Sequence, residues 1–295
     1  FMNNQAPDAG GAVYAYTKSI NISNCTFSEC RTDLGTGKNS SGGAVFLNGK
    51  LAKSFEMITN CIFENCSSMF GGGLFIFCED ESSSNNDLRI TIQNCNFTGC
   101  KSDTEGGAVS SGDSTSGIIV GDNDLQFVSC TFVECESKKG GAIYFQDGTP
   151  EGDEETKLTT CTFINCIATG GEGYSISCRS YKLSIVNCQF KQHKSASIMK
   201  GHSILFIAMN EEPPILDDLI FEDNLNIPAI ALNTTGSVNL TNFKFKGYNY
   251  EEYQPAGCLD LSQWVSDGAI TLFGFKFNSI KNTECVLMSE EKIYV

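Results

Sequence analysis

A single tryptophan, Trp264, and two histidines, His193 and His202, are all the chain holds of those residue types. So few histidines leave an acid–base catalytic cluster short of partners for its carboxylates. Basic residues are scarce as well, 20 against 35 acidic ones, for a net charge of −15. That balance excludes nucleic acid, whose phosphates need a basic face, and disfavours an anionic membrane surface. No apolar run reaches the ~18 residues that a membrane-spanning helix requires. No segment shows an apolar period of 3.6 closed by helix caps, which excludes helical solenoids. The opening residues, FMNNQAPDAGGAVYAY, lack the basic start and apolar core of a secretion signal. They already contain a block that recurs later, so we expect a fragment without its targeting signal.

What the chain has instead is repetition. A block of form N-C-x-F-x-x-C reads NCTFSEC around Phe27, NCIFENC around Phe63 and NCNFTGC around Phe97. It continues as SCTFVEC at Phe132 and TCTFINC at Phe163. Weaker copies centre on Phe190, Phe221, Phe245 and Phe277. The nine phenylalanines are 24 to 36 residues apart, averaging about 31. A second block alternates with the first: GGAV at Gly10, Gly42 and Gly106, GGLF at Gly72 and GGAI at Gly140. At Gly170 it is degraded to GGEGYSIS, and beyond that the glycine pair disappears.

Each block is a short β-branched and aromatic run bounded by Gly, Asn, Asp and Ser, the pattern of a strand. Cys25 and Phe27, two apart, point to one face. A period of ~31 with at least two strands per unit predicts a coil of parallel β-helix, each coil advancing ~4.8 Å. The expected fold is all-β: a right-handed parallel β-helix of about nine coils, one unit over 1–295. Residues 1–175 form its regular part and 176–295 its degenerate part. A β-sandwich is the competing reading, but it needs no such return of one sequence. In four of the five cases the interval from Phe to the next Gly-Gly is only 7 to 9 residues, which predicts a tight corner. The longer return passage carries acidic polar stretches at 78–87, 111–124 and 146–157, expected as loops on one side of the rod.

Ten of the fifteen cysteines belong to the five strong blocks: Cys25, Cys30, Cys61, Cys66, Cys95, Cys100, Cys130, Cys135, Cys161 and Cys166. Cys188 continues the first position. Leu219, Phe243 and Phe275 replace it in later coils, so that position faces the core. The second becomes His193, Asn224, Tyr248 and Ile280, which suits a corner of mixed polarity. Bridges within one block would strand Cys188 opposite His193. Stacked coils set equivalent Cα atoms within the range a disulfide tolerates, whereas free thiols pack as small hydrophobes. A partly bridged ladder is expected ahead of an all-thiol core. The C-x4-C spacing fits zinc only superficially, and no Ca²⁺ loop motif appears, so neither metal nor cofactor is expected. Seven N-x-S/T sequons, at Asn21, Asn24, Asn39, Asn65, Asn96, Asn233 and Asn239, permit N-glycosylation.

The alternation of Gly10–Val13, Gly42–Val45, Gly106–Val109 and Gly140–Ile143 with these phenylalanines resembles the GGA(I/V/L)/FxxN repeats of the polymorphic membrane proteins. These are chlamydial autotransported adhesins, with similar repeats in some protist surface proteins. Phe221-Glu222-Asp223-Asn224 is a literal F-x-x-N. Cys30, Cys66, Cys100, Cys135 and Cys166 stand where that family has Asn, which makes this a cysteine-rich variant. The resemblance covers about residues 10–175. It implies a surface-displayed rod for adhesion or an extracellular layer, and it transfers no catalytic residue.

The expected function is therefore a non-catalytic adhesin or structural scaffold, at the cell surface or secreted, meeting protein or glycan partners through loops and sheet faces. One alternative is a carbohydrate-active β-helix enzyme, with Asp217 and Asp218, or Asp122 and Asp124, as candidate carboxylates. Adjacent Asp residues point opposite ways on a strand, and Asp122-Asn123-Asp124 reads more simply as a turn. A second alternative is an intracellular component of a large assembly, its cysteines reduced.

Overall fold

A computed structural model describes residues 1–17, 19–32, 40–48, 55–77, 88–111, 123–146, 155–194, 201–208, 212–234, 236–260, 269–287 and 293–294. Trp264, Asn39, Asp122 and most of the three acidic stretches lie outside the described residues.

Among the described residues, four long parallel sheets run along the rod, with six, eight, ten and nine strands. A fifth pairs only Asn249–Asp260 with Lys281–Leu287. In a complete coil the chain passes through the four long sheets in that order, as in Lys101–Glu105, Val109–Ser111, Asn123–Val128 and Thr131–Val133. The short Phe-to-glycine interval thus holds a strand of its own and is more than the tight corner expected. From Gln5 to Lys191, six coils carry all four strands. The nine phenylalanine strands match the nine returns of the motif, but complete coils number six. Later coils continue the phenylalanine sheet without the six-stranded one, which ends at Ile167–Glu172. The spacing of the motif falls there, to 24 residues between Phe221 and Phe245, leaving less chain for a fourth strand.

Register makes the repeat visible in space. Phe27 pairs with Phe63, Phe63 with Phe97, and so on to Phe277, with no slip. The rings stack one per coil, with centroids 4.5 Å apart for Phe63–Phe97 and 4.8 Å for Phe132–Phe163. Phe1 extends the stack, 5.0 Å from Phe27. Phe27 to Phe245 are buried in the core, where each ring contributes roughly 2–3 kcal/mol by leaving water. Beside this stack run apolar columns such as Ile22, Ile58, Ile92 and Phe127 from the ten-stranded sheet.

Corners are set by residues in the left-handed region. Asn24, Asn60, Asn94 and Asn187 have φ of 53 to 55° where the ten-stranded sheet turns into the phenylalanine sheet. Asn reaches that region more easily than other non-glycine residues because its short amide bonds locally. This accounts for the Asn that opens the repeat. The corner before the eight-stranded sheet needs glycine twice over. Gly106 has φ of 62°, and a Cβ on Gly107 would lie 2.1 Å from the Gly141 carbonyl oxygen. The third copy of this corner is Gly71-Gly72, with Gly73 in the place of Ala108, one residue earlier than the sequence reading put it. In the sixth coil the corner glycine is Gly173. Gly170 and Gly171 belong to the preceding strand. Tyr174 takes the second-glycine position, where the six-stranded sheet has no further strand to collide with.

Candidate functional site

The repeat cysteines form two columns inside the rod. One holds Cys25, Cys61, Cys95, Cys130, Cys161 and Cys188; the other holds Cys30, Cys66, Cys100, Cys135 and Cys166. All are buried except Cys25, which is half-buried, and all thirteen described cysteines are free thiols. The bridged version of the ladder is therefore not formed in this structure.

Beyond Cys25, each column thiol has the same kind of two acceptors. Cys100 Sγ lies 3.8 Å from the Thr98 oxygen and 3.5 Å from the Phe63 oxygen one coil back. Cys135 addresses Val133 and Phe97 in the same way, both at 3.6 Å, and Cys66 addresses Glu64 and Phe27, both at 3.5 Å. In the first column Cys95 donates to Gln93 and Ile58, and Cys130 to Val128 and Ile92. Burial pushes the Cys135 and Cys188 thiols well above the ordinary range, which keeps them protonated.

The second column continues into a polar cluster that the sequence reading placed at a corner of mixed polarity. His193, Asn224 and Tyr248 are wholly buried. His193 Nε2 is 2.7 Å from Ser175 Oγ, and its Nδ1 is 3.2 Å from Asn224 Oδ1. Asn224 Oδ1 also accepts the His193 main-chain N–H at 2.9 Å. The Asn224 amide donates to the Phe190 oxygen at 3.3 Å and to the Tyr248 hydroxyl at 3.2 Å. Since Asn224 Oδ1 only accepts, Nδ1 carries the imidazole proton and Ser175 donates to Nε2. Serine, imidazole and amide stand in the order of a nucleophilic triad, but all three have zero exposure, so no substrate touches them. The arrangement satisfies buried polar groups where the thiol column ends.

The candidate carboxylates lie outside and are already engaged. Asp217 Oδ1 accepts from Thr241 Oγ1 at 2.5 Å and Asn242 Nδ2 at 2.9 Å. The Thr241 bond above all holds its carboxyl below the usual range. Asp218 binds Lys244 Nζ at 2.6 Å. Asp124 lies in the strand Asn123–Val128, not in a turn, and pairs with Arg89 at 2.9 Å. Glu222 sits between Lys191 and Lys246, and its bond from Lys246 lowers its carboxyl first. An acid for glycosidic cleavage needs a raised pKa beside a second free carboxylate, and Asp217, engaged and lowered, is not that acid. The carboxyl that is raised was missed from sequence. Glu56 is buried between Ile20 and Ile90, its Oε2 unpartnered, and burial lifts it to about 7. Counting back two residues from the inward Ile58 would have found it.

One open cavity, of about 210 Å³, lies on the ten-stranded sheet, walled by Pro213, Pro214 and Ile215 over Asp217, Asn239 and Thr241. All six described sequon asparagines are exposed. Among the described residues, no group of three or more His, Cys, Asp or Glu side chains converges as a metal site. No helix there is long and apolar enough to cross a membrane.

Parallel coils, phenylalanine stack and glycine corners together define a β-helical solenoid. The chain matches the model of the right handed beta helix region family over residues 1–203, and it belongs to that family. No curated protein matches it.

Proposed function

We propose that this rod is a non-catalytic surface or extracellular protein, an adhesin or structural scaffold that meets protein or glycan partners through its outward side chains and loops. The observation that carries this reading is the division of labour within the repeat. Motif phenylalanines, cysteines and glycines are spent on core and corners, and the outward carboxylates Asp124, Asp217, Asp218 and Glu222 are tied to neighbours on adjoining coils. Such a surface offers shape and charge for recognition but no activated group. The resemblance to polymorphic membrane protein repeats and the exposed sequons support a place outside the cell. The test is binding of the purified rod to candidate host or matrix surfaces, repeated after the outward residues of the ten-stranded sheet and the corner loops are exchanged. Binding indifferent to both exchanges overturns it.

A second reading, carbohydrate action, is favoured by one observation. The cavity over Asp217, Asn239 and Thr241 pairs an apolar wall with hydroxyl-binding groups, as a sugar subsite does. Release of oligosaccharide from any polysaccharide by the pure protein would establish it. The free thiols favour a third, the intracellular assembly component; fifteen titratable thiols in protein isolated from its native source would point there.

A further inference from the structure

We propose that the two thiol columns are sites for soft, two-coordinate d10 metal ions, Cu(I) or Ag(I), held in line between cysteines of successive coils. The argument is one of spacing. Main-chain bonds such as Asn96 N to Cys61 O and Glu136 N to Cys100 O, at 2.9 and 3.0 Å, set the cysteines flush, one coil apart. Every thiol from Cys61 to Cys188 in the first column points at the carbonyl two residues back and at the carbonyl of the inward residue one coil back, as Cys95 does at Gln93 and Ile58. The side chains therefore share one orientation, and neighbouring sulfurs stand about one strand spacing apart, ~4.8 Å. A disulfide needs its sulfurs at about 2 Å and its side chains turned toward each other. A linear S–M–S unit spans twice a metal–thiolate bond of roughly 2.2–2.3 Å, about 4.5 Å. The ladder as built fits the second geometry with little movement.

Geometry also selects the ion. With no convergent set of three ligands among the described residues, a tetrahedral zinc site has nowhere to form, whereas a two-coordinate ion requires only the thiols above and below it. Each ion joins two thiols and displaces one proton, 2 RSH + M⁺ → RS–M–S(H)R + H⁺, with no change of oxidation state. The buried column thus keeps its charge. Half-buried Cys25 opens the first column at its end. The six cysteines of that column enclose five gaps, and the five of the other enclose four.

The test uses the reduced full chain, titrated without oxygen with Cu(I) and separately with Ag(I), against a chromogenic Cu(I) chelator. Expected are several ions retained per chain, up to the number of gaps, an unchanged far-UV β spectrum, and X-ray absorption showing two sulfurs per ion. Cys95→Ser and Cys100→Ser keep a hydroxyl donor for the same carbonyls, and each should lose about two ions. Loss of all ions to the chelator overturns the proposal. So does uptake that unfolds the chain, three or four sulfurs per ion, or unaltered stoichiometry in the serine variants.

Discussion

The side-chain amide of Asn224 donates to the main-chain oxygen of Phe190, one coil back, at 3.3 Å. Cys100 makes the same bond to Phe63 at 3.5 Å. Asn and Cys are thus alternative answers to one problem, a donor for the carbonyl of the preceding stacked phenylalanine. Asn224 does more, since its oxygen also accepts two donors from His193.

Asn224→Leu leaves the His193 N–H groups without an acceptor in a dry interior. The expected cost is about 2–4 kcal/mol. Asn224→Cys restores only the bond to Phe190 and should fall between that variant and the parent. Urea unfolding followed by circular dichroism reads both; equal stability of all three proteins would contradict the account.

Position in the stack should grade the phenylalanines. Phe132 is wholly buried between Phe97 and Phe163, and Phe132→Ala should cost about 3–5 kcal/mol. Phe277, half-exposed with Phe245 on one side, should cost about half as much on the same change. The comparison is of denaturation midpoints at unchanged m-value.

Two glycines of the recurring block should respond very differently. A Cβ on Gly107 would meet the Gly141 oxygen at 2.1 Å and the Glu136 nitrogen at 2.6 Å. Both are main-chain atoms of the next coil, so Gly107→Ala should destabilise the rod by more than about 3 kcal/mol. Gly73 stands where other coils have Ala44 and Ala108, with neighbours at 3.1 Å. Gly73→Ala should stay within about 1 kcal/mol of the parent. Thermal melts of the two variants decide it.

Glu56 gives the stability a pH dependence of known sign. Its folded pKa, about 7, lies above the ordinary 4.5, so the folded state binds the proton more tightly than the unfolded chain. Its favourable contribution is full below about pH 4.5 and is lost as pH rises to about 7, a change of roughly 3 kcal/mol. Glu56→Gln should remove that slope and raise stability at pH 8. Unfolding free energies at pH 4.5 and pH 8, parent against variant, provide the check.

The sequence by itself determined the stack. In a parallel sheet without register slips, each residue lies directly over its counterpart one coil back, so a motif that returns becomes a column. Phe27 to Phe277, the core-facing first cysteines and their replacement by Leu219 and Phe243 were legible for that reason. Where the copies weaken, the reading slipped by a residue at Gly72 and by three at Gly170. Glycines are interchangeable as letters, and only the backbone shows which one turns. Tertiary structure alone decided the rest. Ser175, His193 and Asn224 meet across 18 and 31 residues of chain, a contact set by the rod's cross-section that no local pattern encodes. The same holds for the thiols. Sequence placed them in columns, but only folded coils fixed the common direction of their sulfurs, because that direction comes from carbonyls of the coil beneath.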